Sequence, residues 1–178
     1  MPAGGPRRWG FHQLTDHWAR RLVESAGVQP GDLVLDIGAG TGAITAPLVA
    51  TGARVVAIEL HPDRIATLRR RFDVDSTRIV RADAADLRLP RRPFTVVANP
   101  PWAITTPILR RLLSPGSNLV RADLVIARDA ALRWAAGQAP GVGRWIHHYR
   151  LSVGPTLPRR AFRPPPPTAA AILTIQRR

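Results

Sequence analysis

Four short apolar runs, each followed by a glycine-rich turn or a polar residue, constrain the fold of this chain most strongly. They cover residues 33–37, 53–58, 78–82 and 94–98, and the features that follow them are a Gly38–Gly42 turn, Glu59, Asp83 and Asn99. Helices are predicted between the first three runs, over residues 43–51 and 62–71. Such alternation is typical of an α/β fold with a mostly parallel sheet and helices on both faces. The carboxyl ends of the strands then meet at one edge, where ligands bind.

The remaining segments extend the same pattern. Helices are predicted over residues 16–26, with Thr15 and Asp16 as the cap, and over 106–113 and 129–136. A fifth strand is predicted over 122–127, and residues 149–153 and 169–175 are suited to a closing antiparallel pair. Residues 162–167 end in four consecutive prolines, so this segment is predicted to be stiff and irregular. A length of 178 residues suits one domain with a sizeable core.

The sequence Asn99-Pro100-Pro101-Trp102 stands where the fourth strand ends. Two prolines fix their own φ angles, and Pro101 also holds Pro100 extended. The Asn99 amide oxygen and the Pro100 carbonyl could therefore together accept both hydrogens of a planar amino group, with Trp102 as a stacking face. The alternative is an ordinary turn at a strand end, because Asn-Pro is a common turn signal. On the first interpretation, the motif holds an exocyclic amine still for attack.

The glycine-rich turn and two carboxylates predict a bound nucleoside cofactor. The turn is spaced G-x-G-x-G, which differs from the dinucleotide fingerprint, and a chain without lysine has no Walker A motif. Glu59 could accept both hydroxyls of a ribose, and Asp83 could accept a hydrogen bond from an adenine amino group. Singly, Glu59 could be a surface charge and Asp83 a capping residue. Together, at successive strand ends, they match the signature of class I S-adenosylmethionine-dependent methyltransferases.

The charge balance favours a nucleic-acid partner. The chain carries a net charge of +14, and all 26 basic residues are arginines. Arginine clusters neutralise phosphates, although a solvated basic surface is the alternative. There is no cysteine, no metal-ligand cluster stands out, and no apolar run approaches the ~20 residues that span a bilayer. With no signal peptide recognised, the expected protein is soluble, cytoplasmic and free of metal.

Five motifs together resemble the rRNA adenine-N6 methyltransferases. They are Asp36–Gly42, Glu59, Asp83, Asn99–Trp102 and Phe162-x-Pro164-x-Pro166, and the resemblance runs from Trp9 onwards. That family includes the KsgA-type enzymes of the small subunit and the Erm macrolide-resistance enzymes of 23S rRNA. Residues 53–64, 94–113 and 123–134 look closer to the Erm branch, particularly its short actinobacterial members.

The resemblance implies a Rossmann-like class I methyltransferase fold with a seven-stranded sheet and S-adenosylmethionine as cofactor. Its implied cofactor-binding residues are His12, Leu14, Gly38, Gly40, Glu59, Asp83 and Asn99. Its implied catalytic residues are Asn99, Pro100 and Trp102, and the implied substrate-binding residues are Trp102, Phe162, Arg159, Arg160 and Arg163. The substrate would be an adenine in 23S rRNA, naked or partly assembled. Alternatives are 16S rRNA, DNA adenine, a protein glutamine, or nucleic-acid binding without catalysis.

The sequence departs from the family pattern in four places. Phe11 and Gln13 stand where the N-terminal Q-[NH]-F-L motif has Gln and Phe, and Asn-Pro-Pro-Trp replaces N-[LI]-P-[YF]. Thr168 and Ala170 replace the Val and Ser of the terminal motif. The chain ends near the expected end of the catalytic domain, without the helical C-terminal domain of most relatives. The expected organisation is a basic arm over residues 1–14 and a monomeric catalytic domain over 15–178.

Overall fold

The computed structural model describes residues 12–141 and 146–178, so most of the predicted basic arm lies outside the described residues. The strands are β1 (Gln13–Leu14), β2 (Leu33–Ile37), β3 (Arg54–Glu59), β4 (Thr77–Arg81), β5 (Phe94–Ala98), β6 (Leu119–Ala127), β7 (Tyr149–Leu157), β8 (Phe162–Arg163) and β9 (Ala170–Arg177). The helices are α1 (Asp16–Ala26), α2 (Thr45–Ala50), α3 (Pro62–Arg71), α4 (Thr105–Leu112) and α5 (Arg128–Ala135).

Seven strands form one mixed sheet in the order β4-β3-β2-β5-β6-β9-β7. Strands β2 to β6 are mutually parallel, whereas β9 lies antiparallel between β6 and β7. The prediction of a mostly parallel seven-stranded sheet with a terminal antiparallel pair is therefore confirmed. The helical crossovers after β2, β3 and β5 bring the carboxyl ends of the first four parallel strands to one edge.

The prediction that residues 162–167 contain no regular structure was wrong for the first two. Phe162 and Arg163 form β8, which pairs antiparallel with β1 in a separate two-stranded sheet. Both residues retain their backbone N–H groups, and Pro164 favours an extended conformation in the residue before it. The Thr15 N–H also donates to the Ala161 carbonyl at 2.9 Å. Backbone hydrogen bonds thus hold the N-terminal segment (residues 12–15) against the beginning of the proline-rich segment (residues 162–167).

Several predicted boundaries shift by a few residues. Helix α2, Thr45–Ala50, is shorter at both ends than the helix predicted over 43–51. The turn that follows the glycines continues up to the first residue of α2. The strand predicted over 122–127 begins earlier, at Leu119, and includes the charged residue Arg121. There Arg121 donates to the buried Asp123 carboxylate from Nε at 2.6 Å and from Nη2 at 3.1 Å. This pairing compensates the charge within the strand.

The helices cover the two faces of the sheet unequally. Helices α1 to α3 pack on one face, whereas α4 and α5 pack on the other, largely over β5, β6 and β9. Between β4 and β5 the chain makes only a short 3₁₀ turn, Ala84–Asp86, instead of a crossover helix. Within the described residues, no helix is both long and apolar enough to cross a membrane.

Candidate active site

A cleft of about 240 Å³ lies at the carboxyl ends of β2, β3, β4 and β5. It brings together nine of the residues that the sequence singled out: His12, Leu14, Gly38, Gly40, Glu59, Asp83, Asn99, Pro100 and Trp102. Phe162, Arg159, Arg160 and Arg163 do not line it. The predicted cofactor-binding and catalytic residues are therefore neighbours, while the other predicted substrate-binding residues lie outside the cleft.

The glycine turn touches the proline pair directly. Gly38 has a φ of +75°, in the left-handed region that disfavours side chains. The N–H groups of Gly38 and Ala39 both donate to the Ile58 carbonyl, at 2.8 and 3.0 Å. A Cβ at Gly38 would lie 2.9 Å from Cδ of Pro101 and 3.4 Å from Cα of Pro100. Only a glycine lets the two loops approach this closely. The glycine turn and the Asn99–Trp102 motif, which form the two halves of the cleft, therefore pack directly against each other.

The Glu59 carboxylate is largely occupied by backbone donors. Its Oε1 accepts from the N–H groups of Leu60 and His61 at 2.8 and 2.9 Å, and its Oε2 accepts from Gly40 N–H at 2.9 Å. A carboxylate offers about four acceptor positions. One acceptor position on Oε2 is not used by these three bonds. The same bonds fix the turn against the end of β3.

Asp36 also lines the cleft, although in the sequence it stood out only as the start of the glycine-rich motif and was given no role. It is 1% exposed and lines the cleft, and its Oδ2 accepts from the Thr45 hydroxyl at 2.6 Å. Its Oδ1 is buried with no hydrogen-bond partner among the described residues. Burial raises the pKa of Asp36 to about 7; the Thr45 bond opposes the shift and the Glu59 carboxylate adds to it. In the sequence, the signal that could have pointed to Asp36 was a carboxylate inside an otherwise apolar strand.

Asn99 is oriented by the N-terminal segment. Its Nδ2 donates to the His12 carbonyl at 2.6 Å, which fixes the plane of the amide. Neither the Asn99 amide oxygen nor the Pro100 carbonyl forms a hydrogen bond to any described residue. The two acceptors that the sequence suggested for an amino group are thus both available in the cleft.

Trp102 lies between two other rings. Its ring centroid is 5.9 Å from that of His12 and 6.2 Å from that of Phe162, which meets it edge to face. Phe162 is 1% exposed, so its ring packs against Trp102 within the core. Arg159, Arg160 and Arg163 are exposed on the segment after β7.

Gln13 is a second residue that the sequence did not select. Its side-chain oxygen accepts from the Thr41 hydroxyl at 2.6 Å, and the His12 ring nitrogen Nδ1 lies 3.0 Å from the Pro164 carbonyl. The short segment from residue 12 to 15 therefore bridges the glycine turn, the Asn99 motif and the proline-rich segment. Its sequence signal was weak, because Gln13 stands where the family motif has an aromatic residue.

The strand order, the glycine turn and the acidic strand ends together define a Rossmann-like methyltransferase fold. Residues 6–178 match the family described as ribosomal RNA adenine dimethylase. The chain belongs to this family.

Several known proteins are similar to the chain. An rRNA adenine N-6-methyltransferase of Bacillus licheniformis is 32% identical over 88% of the chain and 56% of its own length. A ribosomal RNA small subunit methyltransferase A of Thermosynechococcus vestitus is 34% identical over 96% of the chain and 69% of its own length. The crystal structure of the 23S rRNA methyltransferase ErmE matches with a TM-score of 0.82 and 26% identity, over 91% of the chain and 68% of ErmE. The chain thus spans between about half and about two thirds of the length of these relatives.

Proposed function

We propose that this protein is a cytoplasmic, monomeric enzyme that transfers a methyl group from S-adenosylmethionine to N6 of an adenine in the peptidyl-transferase loop of 23S rRNA. Macrolide-type resistance would follow from that modification. One observation carries the proposal: the free acceptors of Asn99 and Pro100 stand beside Trp102, in contact with the glycine turn. The likeness to ErmE supports the choice of 23S rRNA.

The cleft fits S-adenosylmethionine by the chemistry of its donors and acceptors. The unpartnered, buried Oδ1 of Asp36 suits a cationic group, and the open position on Glu59 Oε2 suits a ribose hydroxyl. The Asp83 Oδ1 accepts from Ala85 N–H at 2.8 Å, so its Oδ2 remains for an adenine amino group. When bound, the cofactor supplies an electrophilic methyl group on a positively charged sulfur.

The chain contributes positioning to the reaction. Asn99 Oδ1 and the Pro100 carbonyl accept the two hydrogens of the target amine, which turns its lone pair out of the base plane. Trp102 stacks against the extruded base, as is usual for unstacked nucleotides. No strong base is required, because the amine proton can leave after methyl transfer. Holding the two reactants in attack geometry supplies most of the acceleration.

Asp36 predicts a pH dependence of stability. Its carboxyl is neutral in the folded chain below a pKa of about 7, against 3.8 when unperturbed. Between about pH 4 and 7 the unfolded chain therefore holds fewer protons, and stability falls as pH rises. From pH 5 to 8 we expect the wild type to lose about 2 to 3 kcal/mol relative to Asp36→Asn. Urea unfolding of both proteins across this range measures the difference; parallel pH profiles would contradict it.

The same carboxylate predicts tighter cofactor binding above neutral pH, because the ionised form pairs with the cation. We expect the Kd for S-adenosylmethionine, measured by calorimetry, to fall several-fold between pH 6 and 8 in the wild type. Asp36→Asn should bind weakly at both pH values. If Asp36→Asn binds S-adenosylmethionine with wild-type affinity, Asp36 does not take part in cofactor binding.

Expression in a macrolide-sensitive host, with primer extension on both large rRNAs, tests the function. A resistant host with a stop in the peptidyl-transferase loop of 23S rRNA is the expected result. The likeness to the small subunit methyltransferase of T. vestitus favours 16S rRNA as the second candidate. A stop in 16S rRNA alone would select it. Tritiated-methyl assays on rRNA, DNA and protein pools distinguish the other amine substrates.

A further inference from the structure

A second concave surface lies beside the cleft, on a part of the sheet that none of the described helices covers. This groove has a volume of about 1070 Å³ and runs across β2, β3 and β4. Leu33, Val56 and Val80 form its floor, and segments near residues 74–78 and 86–92 form its walls. Its residues play no part in the site described above, apart from two at the boundary between the groove and the cleft.

The groove follows from the short connection between β4 and β5. Side chains alternate along each strand, so Val55 and Ala57 face α1 to α3 while Val56 faces the other way. On that second face, residues of β5 and β6 such as Val96 and Leu124 are completely buried. Leu33, Val56 and Val80 remain half-buried, because only the Ala84–Asp86 turn replaces a helix there.

The groove is strongly positive. Six exposed arginines line it: Arg54, Arg78, Arg81, Arg88, Arg91 and Arg92. Within the described part of the chain, none of these side chains forms a hydrogen bond or salt bridge. The two aspartates of the lining are Asp75 and Asp86, and Asp86 already pairs with Arg111 at 2.8 Å. So many uncompensated cations around one depression favour a polyanionic occupant.

The groove also adjoins the cleft, since Ile58 and Ala82 line both. We propose that this groove binds the phosphate backbone of RNA that flanks the target adenine, as an extension of the proposed function. The arginines contact the phosphates, and the aliphatic floor packs against ribose or base faces. Val74, 90% exposed on the rim, adds an apolar contact at the edge.

Neutralising one wall tests the proposal. The triple variant Arg88→Gln, Arg91→Gln, Arg92→Gln changes three exposed side chains of a single loop. None of the three side chains forms a hydrogen bond or salt bridge with the described residues. A matched control, Arg133→Gln, Arg150→Gln, Arg178→Gln, removes the same charge from the opposite end of the sheet, on α5, on the edge strand β7 and after β9. Both variants carry +11 in place of +14, since three charges are removed.

RNA binding is measured by fluorescence anisotropy with two probes, a short hairpin around the target adenine and the same hairpin with its flanking strands. For the extended RNA we expect the groove variant to bind at least about tenfold more weakly than the control. For the groove variant, the slope of log Kd against the logarithm of the salt concentration should be smaller by about 2 to 3. The short hairpin should bind both variants alike. With the extended RNA as methyl acceptor, KM should rise while kcat at saturation stays the same.

Equal binding of the extended RNA by the two variants would overturn the proposal. So would a wild type that sediments as a dimer and a groove variant that sediments as a monomer, because a second copy would then occupy the groove. Failure of the proposed function is distinguishable: the wild type would methylate no rRNA, whichever way the binding comparison falls. Calorimetry with S-adenosylmethionine should give the same Kd for all three proteins, which confirms intact folding.

Discussion

Replacing Asn99 with alanine is expected to reduce methyl transfer by at least about 100-fold, while S-adenosylmethionine still binds measurably. In the proposed mechanism the amide oxygen is one of two acceptors that orient the target amine, and the Pro100 carbonyl alone cannot fix the rotation of that amine. The loss should fall on kcat, measured with tritiated cofactor at saturating RNA. Unchanged turnover in this variant would refute the proposed mechanism.

Asn99→Asp is the matched comparison, because the carboxylate keeps an acceptor but cannot donate to the His12 carbonyl. We expect a smaller fall in kcat than alanine causes, together with weaker ordering of the N-terminal segment. Limited proteolysis near residue 12 reports that ordering. If the two variants lose equal activity, the bond to His12 matters more than the acceptor.

The sheet could be predicted from the sequence because each apolar run is short and bounded, and because helices or polar loops separate the runs. Local patterns were sufficient for the five parallel strands and for the antiparallel pair formed by the last two strands of the sheet. They were not sufficient for β8, since pairing with β1 joins residues about 150 positions apart and leaves no local periodicity. The early start of β6 was not predicted because Arg121 interrupts the apolar run; in the structure its guanidinium pairs with the Asp123 carboxylate.

The candidate site was predictable where one residue type implies one chemistry at a strand end. Asn99, Glu59 and Asp83 meet in the cleft as the parallel topology requires. Asp36 was quoted in the glycine-rich motif without a role, because its burial and its unpartnered oxygen arise only in the folded chain. Phe162 was predicted to bind substrate by helping to pack the base; its ring is 1% exposed and meets Trp102 edge to face, a contact that the sequence did not reveal.

Gly38→Ala should damage both halves of the cleft at once. Alanine pays about 1 to 2 kcal/mol for the left-handed backbone. Its Cβ would also lie 2.9 Å from Cδ of Pro101, closer than real contacts allow. Either the glycine turn or the Asn99-Pro100-Pro101 segment must shift. We expect the Kd for S-adenosylmethionine to rise at least about tenfold, and kcat to fall further, because 1 Å misplacements alone cost about 100-fold.

Gly116→Ala is the control for the backbone term. Gly116 has a φ of +77°, close to that of Gly38, but a Cβ there meets nothing within 4 Å. It lies between α4 and β6 and does not line the cleft. The melting temperature of the Gly116→Ala variant should fall only because of backbone strain. Its affinity for S-adenosylmethionine and its turnover should stay at the wild-type level. If calorimetry and methyl-transfer assays find Gly38→Ala no worse than this control, the contact between the glycine turn and Pro101 does not govern the geometry of the site.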